Sequence, residues 1–218
     1  MAEGKSAADP RPMRRRAAKW LHFRRFLAHP ARLAAVFSSS DKLSRLVAEQ
    51  VRPVDDGVVV ELGAGTGAVT RALLSAGVPD DKLIAVELDA QMAQFLRSAH
   101  PNVTVVEGCA LGLRQLLPPS AIGRIGSVVC GIPASLMPIE RQRELVSVML
   151  SLIPAGRPFH MYSYRLSSPL PARTLGLVGK RLDFTLSNFP PASVWAYRAD
   201  GRGREQAAAG RSEADPET

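Results

Sequence analysis

A glycine-rich turn directly after an apolar run is the feature of this sequence that most restricts its fold. Residues 58–67 read VVVELGAGTG, and a second apolar run at 82–87 ends in Glu87, twenty residues after Gly67. Glycine permits positive φ angles and close approach of a ligand to the backbone, and the first turn of a helix presents N–H groups to polar ligand atoms. A carboxylate ending the second strand can accept hydrogen bonds from ribose hydroxyls. The pattern predicts a strand–turn–helix–strand unit that binds a nucleoside.

Apolar runs and amphipathic stretches alternate over the rest of the chain. Strands are predicted at 57–62, 82–87, 102–107, 127–131, 158–164, 180–187 and 194–197, and helices at 42–51, 66–76, 90–99 and 139–152. Apolar strands that alternate with helices indicate a mostly parallel sheet covered on both faces. The last two strands, which no helix separates, indicate an antiparallel hairpin at one edge. We expect this α/β domain at 53–198, between a flexible 1–12, N-terminal helices within 13–52 and a disordered tail at 199–218.

The net charge of +8 is concentrated in the N-terminal part of the chain. Residues 1–50 contain eleven Lys and Arg against four Asp and Glu, whereas the other 168 residues contain seventeen against sixteen. A helix over 13–29 would place an apolar arc beside arginines; the residues concerned are Trp20, Phe23, Phe26, Leu27, Arg14, Arg15, Arg24 and Arg25. This pattern is typical of a helix lying in the interface of an anionic membrane. Because no apolar run is long enough to cross a bilayer, we expect a cytoplasmic protein bound peripherally to the inner face of the cell membrane.

The spacing of the glycines separates the candidate nucleotide ligands. The turn has the form G-x-G-x-G preceded by Glu61, whereas the dinucleotide fingerprint is G-x-G-x-x-G. A carboxylate here disfavours a pyrophosphate and favours a cationic ligand, such as the ammonium and sulfonium groups of S-adenosylmethionine. The segments ELGAGTG at 61–67 and AVELD at 85–89 resemble those of class I S-adenosylmethionine-dependent methyltransferases. The resemblance implies that cofactor and a Rossmann-like fold. The cofactor-binding residues it implies are Glu61, Gly63, Ala64, Gly65, Gly67, Glu87, Leu88, Gly108, Cys109, Ala110 and Gly131.

One position departs from that family. At 107–110 the chain reads EGCA, where the family usually has Gly-Asp-Ala and the aspartate meets the adenine amino group. A thiol is a weak acceptor, so Cys109 is either a weak adenine contact or a small buried thiol. Cys109 and Cys130 are the two cysteines of the chain. They are too few for a disulfide framework or a cysteine zinc site, and we expect no metal.

The loop after the fourth predicted strand normally meets the methyl acceptor, and here residues 128–138 read VVCGIPASLMP. Methyltransferases that act on adenine have a motif similar to N-[IL]-P-[YF] at this point. In that motif, Asn binds the amine and the aromatic ring stacks on the base. This chain has Gly131 and Ala134 instead, which disfavours a base as the acceptor. The small apolar loop, with Ile132 and Pro133, is expected to line the substrate site or to pack in the core.

Longer segments resemble the bacterial phospholipid N-methyltransferases, which convert phosphatidylethanolamine stepwise to phosphatidylcholine. These segments are VVELGAGTGAVTRALL at 59–74, GIP at 131–133, YSYRLSSPLPAR at 162–173 and NFPPASVWAYR at 188–198. Alternate residues of a strand share a face, so His160, Tyr162 and Tyr164 are candidate catalytic groups around an amine. Candidates for binding the lipid phosphate are Arg165, Arg173, Lys180 and Arg181.

Two other functions stay open on the sequence: an RNA adenine N-methyltransferase of the rRNA dimethylase type, and a non-catalytic S-adenosylmethionine-binding module on a membrane. The basic segment suits RNA in its charge, but its apolar arc favours a membrane. We therefore expect an anionic membrane surface and a phospholipid substrate as partners, no nucleic acid, and a monomer.

Overall fold

The computed structural model describes residues 41–51, 57–188 and 190–201. The strands are β1 (Val58–Leu62), β2 (Leu83–Glu87), β3 (Thr104–Glu107), β4 (Ile125–Cys130), β5 (Phe159–Ser163), β6 (Leu177–Thr185) and β7 (Ala192–Ala199), and the helices are α1 (Asp41–Gln50), α2 (Ala68–Ser75), α3 (Ala90–Ala99), α4 (Leu113–Leu116) and α5 (Ile139–Leu152). The basic segment 13–29, with all its proposed membrane-binding residues, lies outside the described residues and stays a prediction. The predicted tail also lies outside the described residues from residue 202 on, but its first residue, Ala199, belongs to β7.

The seven strands form one sheet in the order β3-β2-β1-β4-β5-β7-β6. All neighbours pair in parallel except β7, which runs antiparallel to both β5 and β6. The predicted α/β Rossmann-like fold, with its mostly parallel seven-stranded sheet and antiparallel edge hairpin, is confirmed. From β1 the chain adds strands on one side of the sheet (β2, β3) and then returns to add β4 on the other side. In open α/β sheets, ligands bind in the crevice at the carboxyl ends of two such neighbouring strands, here β1 and β4.

Apolar layers cover both faces of the sheet, which explains why every residue of β1 except Glu61 is apolar. Val60 and Leu62 pack in one layer with Met149 of α5. Val59 points to the other face and packs with Leu43 of α1 and with helix α2. Among the described residues, no helix has the length and apolar composition needed to span a membrane.

Local signals explain which element boundaries were predictable. Helix α3 has its predicted bounds because Asp89 caps it: the Asp89 carboxylate accepts the N–H groups of Gln91 and Met92 at 2.9 and 3.0 Å. Strand β6 begins three residues earlier than predicted and ends two earlier. It lies at the edge of the sheet with an exposed stretch at 178–181, so it lacks the apolar run that marks a buried strand. The short helix α4 was not predicted.

Candidate functional site

The glycine turn lies at the carboxyl end of β1 and uses its own backbone N–H groups. Gly63, Gly65 and Gly67 all have positive φ, at 75°, 55° and 75°. The Gly63 and Ala64 N–H groups donate to the Val86 carbonyl at 2.8 and 3.2 Å, and Gly67 N–H donates to the Ala64 carbonyl at 2.9 Å. These three N–H groups are engaged within the protein, whereas the availability of the N–H groups in the first turn of α2 to a ligand stays a prediction.

The three glycines are required for different reasons. A Cβ built on Gly65 would meet no atom within 4 Å, so the space in front of this residue is open to a ligand. A Cβ on Gly67 would lie 2.8 Å from Leu96 of α3, and one on Gly63 would lie 3.0 Å from Ile132. Gly65 is thus the residue that leaves room for a ligand, whereas Gly63 and Gly67 permit close packing.

Glu87 ties the turn to the end of β2. Its carboxylate is nearly buried and accepts the Gly65 N–H at 2.8 Å with one oxygen and the Asp89 N–H at 3.0 Å with the other. Each carboxylate oxygen still has a further acceptor position. The predicted bond to ribose hydroxyls is compatible with this arrangement.

Glu61 is a fully buried carboxyl group beside the turn. One oxygen accepts the Thr70 hydroxyl of α2 at 2.7 Å, and the other, Oε1, has no hydrogen-bond partner among the described residues. Burial raises the pKa of Glu61 to about 8; the Thr70 hydrogen bond opposes this shift, and the nearby Glu87 charge adds to it. A buried carboxyl oxygen without a partner is costly, and a ligand cation would relieve that cost. The residues present therefore fit a ligand that carries an ammonium or a sulfonium.

The ends of β2 and β3 present an exposed surface beside the turn. Leu88 is half exposed, and Gly108 N–H donates to the Glu87 carbonyl at 2.9 Å, which holds the two strand ends together. Cys109 is exposed, so the alternative of a small buried thiol is wrong. Ala110 is buried and packs in the core, and the adenine contact of Cys109 stays a prediction.

The loop after β4, which the sequence predicts to meet the methyl acceptor, contacts the end of β1 and strand β5. Gly131 N–H donates to the Leu62 carbonyl at 2.8 Å. A Cβ built on Gly131 would lie 2.7 Å from Tyr162 Cζ and would collide outright with the Tyr162 hydroxyl oxygen. The Tyr162 hydroxyl therefore occupies the space that a side chain at position 131 would need.

Strand β5 carries its three candidate residues on one face, as predicted. Tyr162 is buried, and Tyr164, just past the strand, packs partly buried against the same apolar layer. His160 lies deeper and pairs with Val129 of β4. Its Nδ1 has no partner among the described residues, and burial lowers the pKa of His160 to about 4. The imidazole is therefore neutral at neutral pH.

The basic candidates lie at different places around the sheet. Arg165 follows the carboxyl end of β5, where its carbonyl accepts the Ser193 hydroxyl. Arg173 precedes β6, which runs parallel to β5, and this places it at the amino edge of the sheet. Lys180 pairs with Ala196, level with the start of β5. Lys180 lies on the edge strand β6, which β7, β5 and β4 separate from β1. The substrate-binding roles of Arg173 and Lys180 stay predictions.

Two supporting residues were not singled out in the sequence. Thr70 supplies the hydroxyl that binds Glu61, and Gln142 fixes the end of the acceptor loop. Gln142 N–H donates to the Pro138 carbonyl at 3.0 Å, and its amide Nε2 donates to the Met137 carbonyl at 2.9 Å. Both are polar residues on the buried face of a helix, and that position is the signal that could have found them.

Known proteins resemble this chain over the site. The Ribosomal RNA adenine dimethylase family matches residues 31–113. The ornithine lipid N-methyltransferase of Singulisphaera acidiphila is 35% identical over 141 residues, which cover 63% of this chain and 73% of that protein. Ribosomal RNA small subunit methyltransferase A of Thermotoga petrophila is 38% identical over 74 residues, or 33% of this chain and 27% of that protein.

A solved structure extends the likeness to the fold. The magnesium protoporphyrin IX methyltransferase from Synechocystis, solved with bound S-adenosylmethionine, has a TM-score of 0.53 and 16% identity, and it covers 90% of this chain and 100% of that one. The doubly wound sheet described above is therefore the Rossmann-like fold of methyltransferases.

Proposed function

Because this chain belongs to the family of the ornithine lipid N-methyltransferase, within the S-adenosylmethionine-dependent methyltransferases, we propose that it methylates the amino head group of a membrane lipid. The substrates we propose are phosphatidylethanolamine and its monomethyl and dimethyl forms. The observation that carries this proposal is the Tyr162 hydroxyl, which lies against Gly131 in the loop that meets the acceptor.

S-adenosylmethionine supplies an electrophilic methyl group on a sulfonium. We assign its binding to the open side of Gly65, to the Glu87 carboxylate and to Glu61, whose unpaired Oε1 offers a negative charge to the cation. Leu88 and Cys109 border the same edge and leave an exposed surface for the adenine. Burial of Glu61 strengthens its attraction for a positive charge, because the local dielectric is low.

The acceptor must reach the methyl group as a free amine, so an ammonium head group has to lose a proton before attack. Tyr162 can accept a hydrogen bond from the amine through its hydroxyl oxygen. Tyr164 lies two residues further along the same face and offers a ring to a methylated ammonium, which has fewer N–H groups to donate. His160 lies on this face as a neutral group, deeper in the sheet.

The alternative is methylation of adenine in ribosomal RNA, which the family match at residues 31–113 favours. That match covers the glycine turn and Glu87 but ends before the acceptor loop at 131–138. Within this loop Gly131 and Ala134 replace both groups that would recognise a base. The departure at Gly131 and Ala134 therefore supports a shared methyl donor with a different acceptor.

Transfer of a labelled methyl group tests the proposal. We expect the purified chain to label phosphatidylethanolamine in detergent micelles, with ornithine lipid and ribosomal RNA as the competing acceptors. Tyr162→Phe should lower the turnover rate about tenfold, the value of one hydrogen bond, at unchanged affinity for S-adenosylmethionine.

Tyr197→Phe is the matched control, because it also removes one tyrosine hydroxyl. Tyr197 bonds Ser168 at 2.7 Å and packs in the other apolar layer. Loss of the Tyr197 hydroxyl should leave the turnover rate near that of the wild-type protein. Labelling of RNA without labelling of any lipid would refute the proposal.

A further inference from the structure

Exposed apolar side chains gather at the same edge of the sheet as the cofactor turn. Ser163, the last residue of β5, pairs with Ser193 of β7, and Ser193 pairs with Phe184 of β6. Phe184 therefore lies level with the carboxyl end of β5. Leu166, Phe184 and Leu186 are 39%, 47% and 67% exposed, and we call these three residues the apolar rim.

Specific contacts hold the apolar rim in place. The Arg181 guanidinium donates to the Leu166 carbonyl at 3.1 Å and lies 5.3 Å from the centre of the Phe184 ring. It thereby joins the segment after β5 to strand β6. On the far side of the hairpin, Lys42 of α1 lies 3.5 Å from the Ser187 hydroxyl. Side-chain contacts thus fix the position of the rim, and a cation lies on each side of it.

The charge around the rim is positive. The cations beside the rim are Arg165, Arg181 and Lys42, against the two acids Asp183 and Asp41 of the same segments. The Asp183 carboxylate accepts the Phe184 N–H at 2.7 Å. Apolar side chains among cations suit the interface of an anionic bilayer, where the side chains enter the head-group region and the cations meet lipid phosphates.

The chain outside the structure also joins it at this edge. Asp41 is the first described residue, and the next residue, Lys42, contacts Ser187 at the hairpin tip. Residues 1–40, which include the basic segment predicted to contact a membrane, therefore connect to the domain beside the rim.

We propose that the apolar rim is a second membrane contact, which inserts into the interface of an anionic bilayer and turns the acceptor site toward the head groups. Leu166 follows Tyr164 by two residues, so a lipid amine has only a short path from the bilayer to the tyrosines. The proposal rests on the proposed lipid function and adds the surface through which the enzyme meets its substrate.

The test uses the full chain and vesicles of phosphatidylethanolamine and phosphatidylglycerol. Phe184→Ala/Leu186→Ala removes two exposed apolar side chains from the rim. Ile122→Ala/Val178→Ala is the matched control, because these residues are 47% and 46% exposed and lie beside the amino ends of β4 and β6. Co-sedimentation measures vesicle affinity, and labelled methyl transfer gives the ratio of the rate on vesicles to the rate in detergent micelles.

We expect the rim variant to bind vesicles about tenfold more weakly and to show a similarly reduced vesicle-to-micelle rate ratio. The control should keep wild-type values in both assays. Vesicle binding by the rim variant equal to that of the control would overturn the rim proposal, whatever the activity. If the wild-type chain transfers no methyl group to phosphatidylethanolamine even in micelles, the proposed function fails instead, while the binding assay still decides the role of the rim.

Discussion

Binding of S-adenosylmethionine should remove a proton from Glu61. In the free protein, burial raises the pKa of Glu61 to about 8, so at pH 7 about nine-tenths of the molecules carry a protonated carboxyl group. A ligand cation beside the unpaired Oε1 favours the carboxylate and lowers that pKa. If the pKa falls well below 7 in the complex, about 0.9 proton is released for each cofactor bound.

Calorimetric titration at pH 7 in buffers of different ionisation enthalpy measures this release directly. The observed heat should vary with the buffer, and its slope gives the number of protons. The affinity should increase about tenfold between pH 6 and 7 and about fivefold between pH 7 and 8, because deprotonation of Glu61 is part of binding and is half complete in the free protein at pH 8. Glu61→Gln keeps a similar shape but has no carboxyl proton to lose, so its binding should be weaker and free of both effects.

The cofactor-free protein should show the opposite dependence on pH. The folded pKa of Glu61 lies above the unfolded value of 4.5, so the stability linked to this proton is full below pH 4.5 and is lost as the pH rises through 8. Above pH 8 the loss reaches up to about 5 kcal/mol, and Glu61→Gln should unfold at a higher temperature than wild type there. Cofactor binding without proton release by the wild-type protein would refute the reasoning.

Three further substitutions test the rest of the site. Glu87→Ala should weaken S-adenosylmethionine binding by about 1.5–3 kcal/mol in calorimetry, and an unchanged affinity of the folded variant would contradict the assignment. Gly131→Ala should push Tyr162 aside and lower the free energy of unfolding by about 1–3 kcal/mol, together with methyl transfer; a variant as stable and active as wild type would show that the loop accommodates a Cβ. The pH–rate profile should lack a His160 inflection near pH 6.5, because the pKa of His160 is lowered to about 4; an inflection there that disappears in His160→Gln would show that the imidazole titrates during catalysis.

Local signals allowed the sequence to predict much of the fold. Strand β1 is buried on both faces, so four of its five residues are apolar and Glu61 is the exception. The Asp89 cap marks the start of α3. Strand β6 was shifted in the prediction because an edge strand exposes its residues and is fixed by pairing with β7, which a pattern of apolar residues does not encode. The position of Arg173 likewise depends on the direction in which β6 runs.

The candidate site also has one part that the sequence predicted and one part that it did not. Spacing along the chain identified Glu61, Gly65 and Glu87, since all three belong to one strand–turn–helix–strand unit. The contact of Tyr162 with Gly131 joins residues of two neighbouring strands, and it depends on their register and on the direction of one tyrosine ring. The sequence suggested both residues but did not predict that they touch.

The contact between Gly131 and the Tyr162 ring also constrains how this acceptor loop can evolve. An asparagine at position 131, the residue that adenine methyltransferases use, would have to occupy the space of the tyrosine hydroxyl. A small residue at position 162 alone would leave an empty space in a buried layer. Each single change is therefore unfavourable, and the two become compatible only together. This chain could therefore acquire an asparagine at position 131 only together with a smaller residue at position 162.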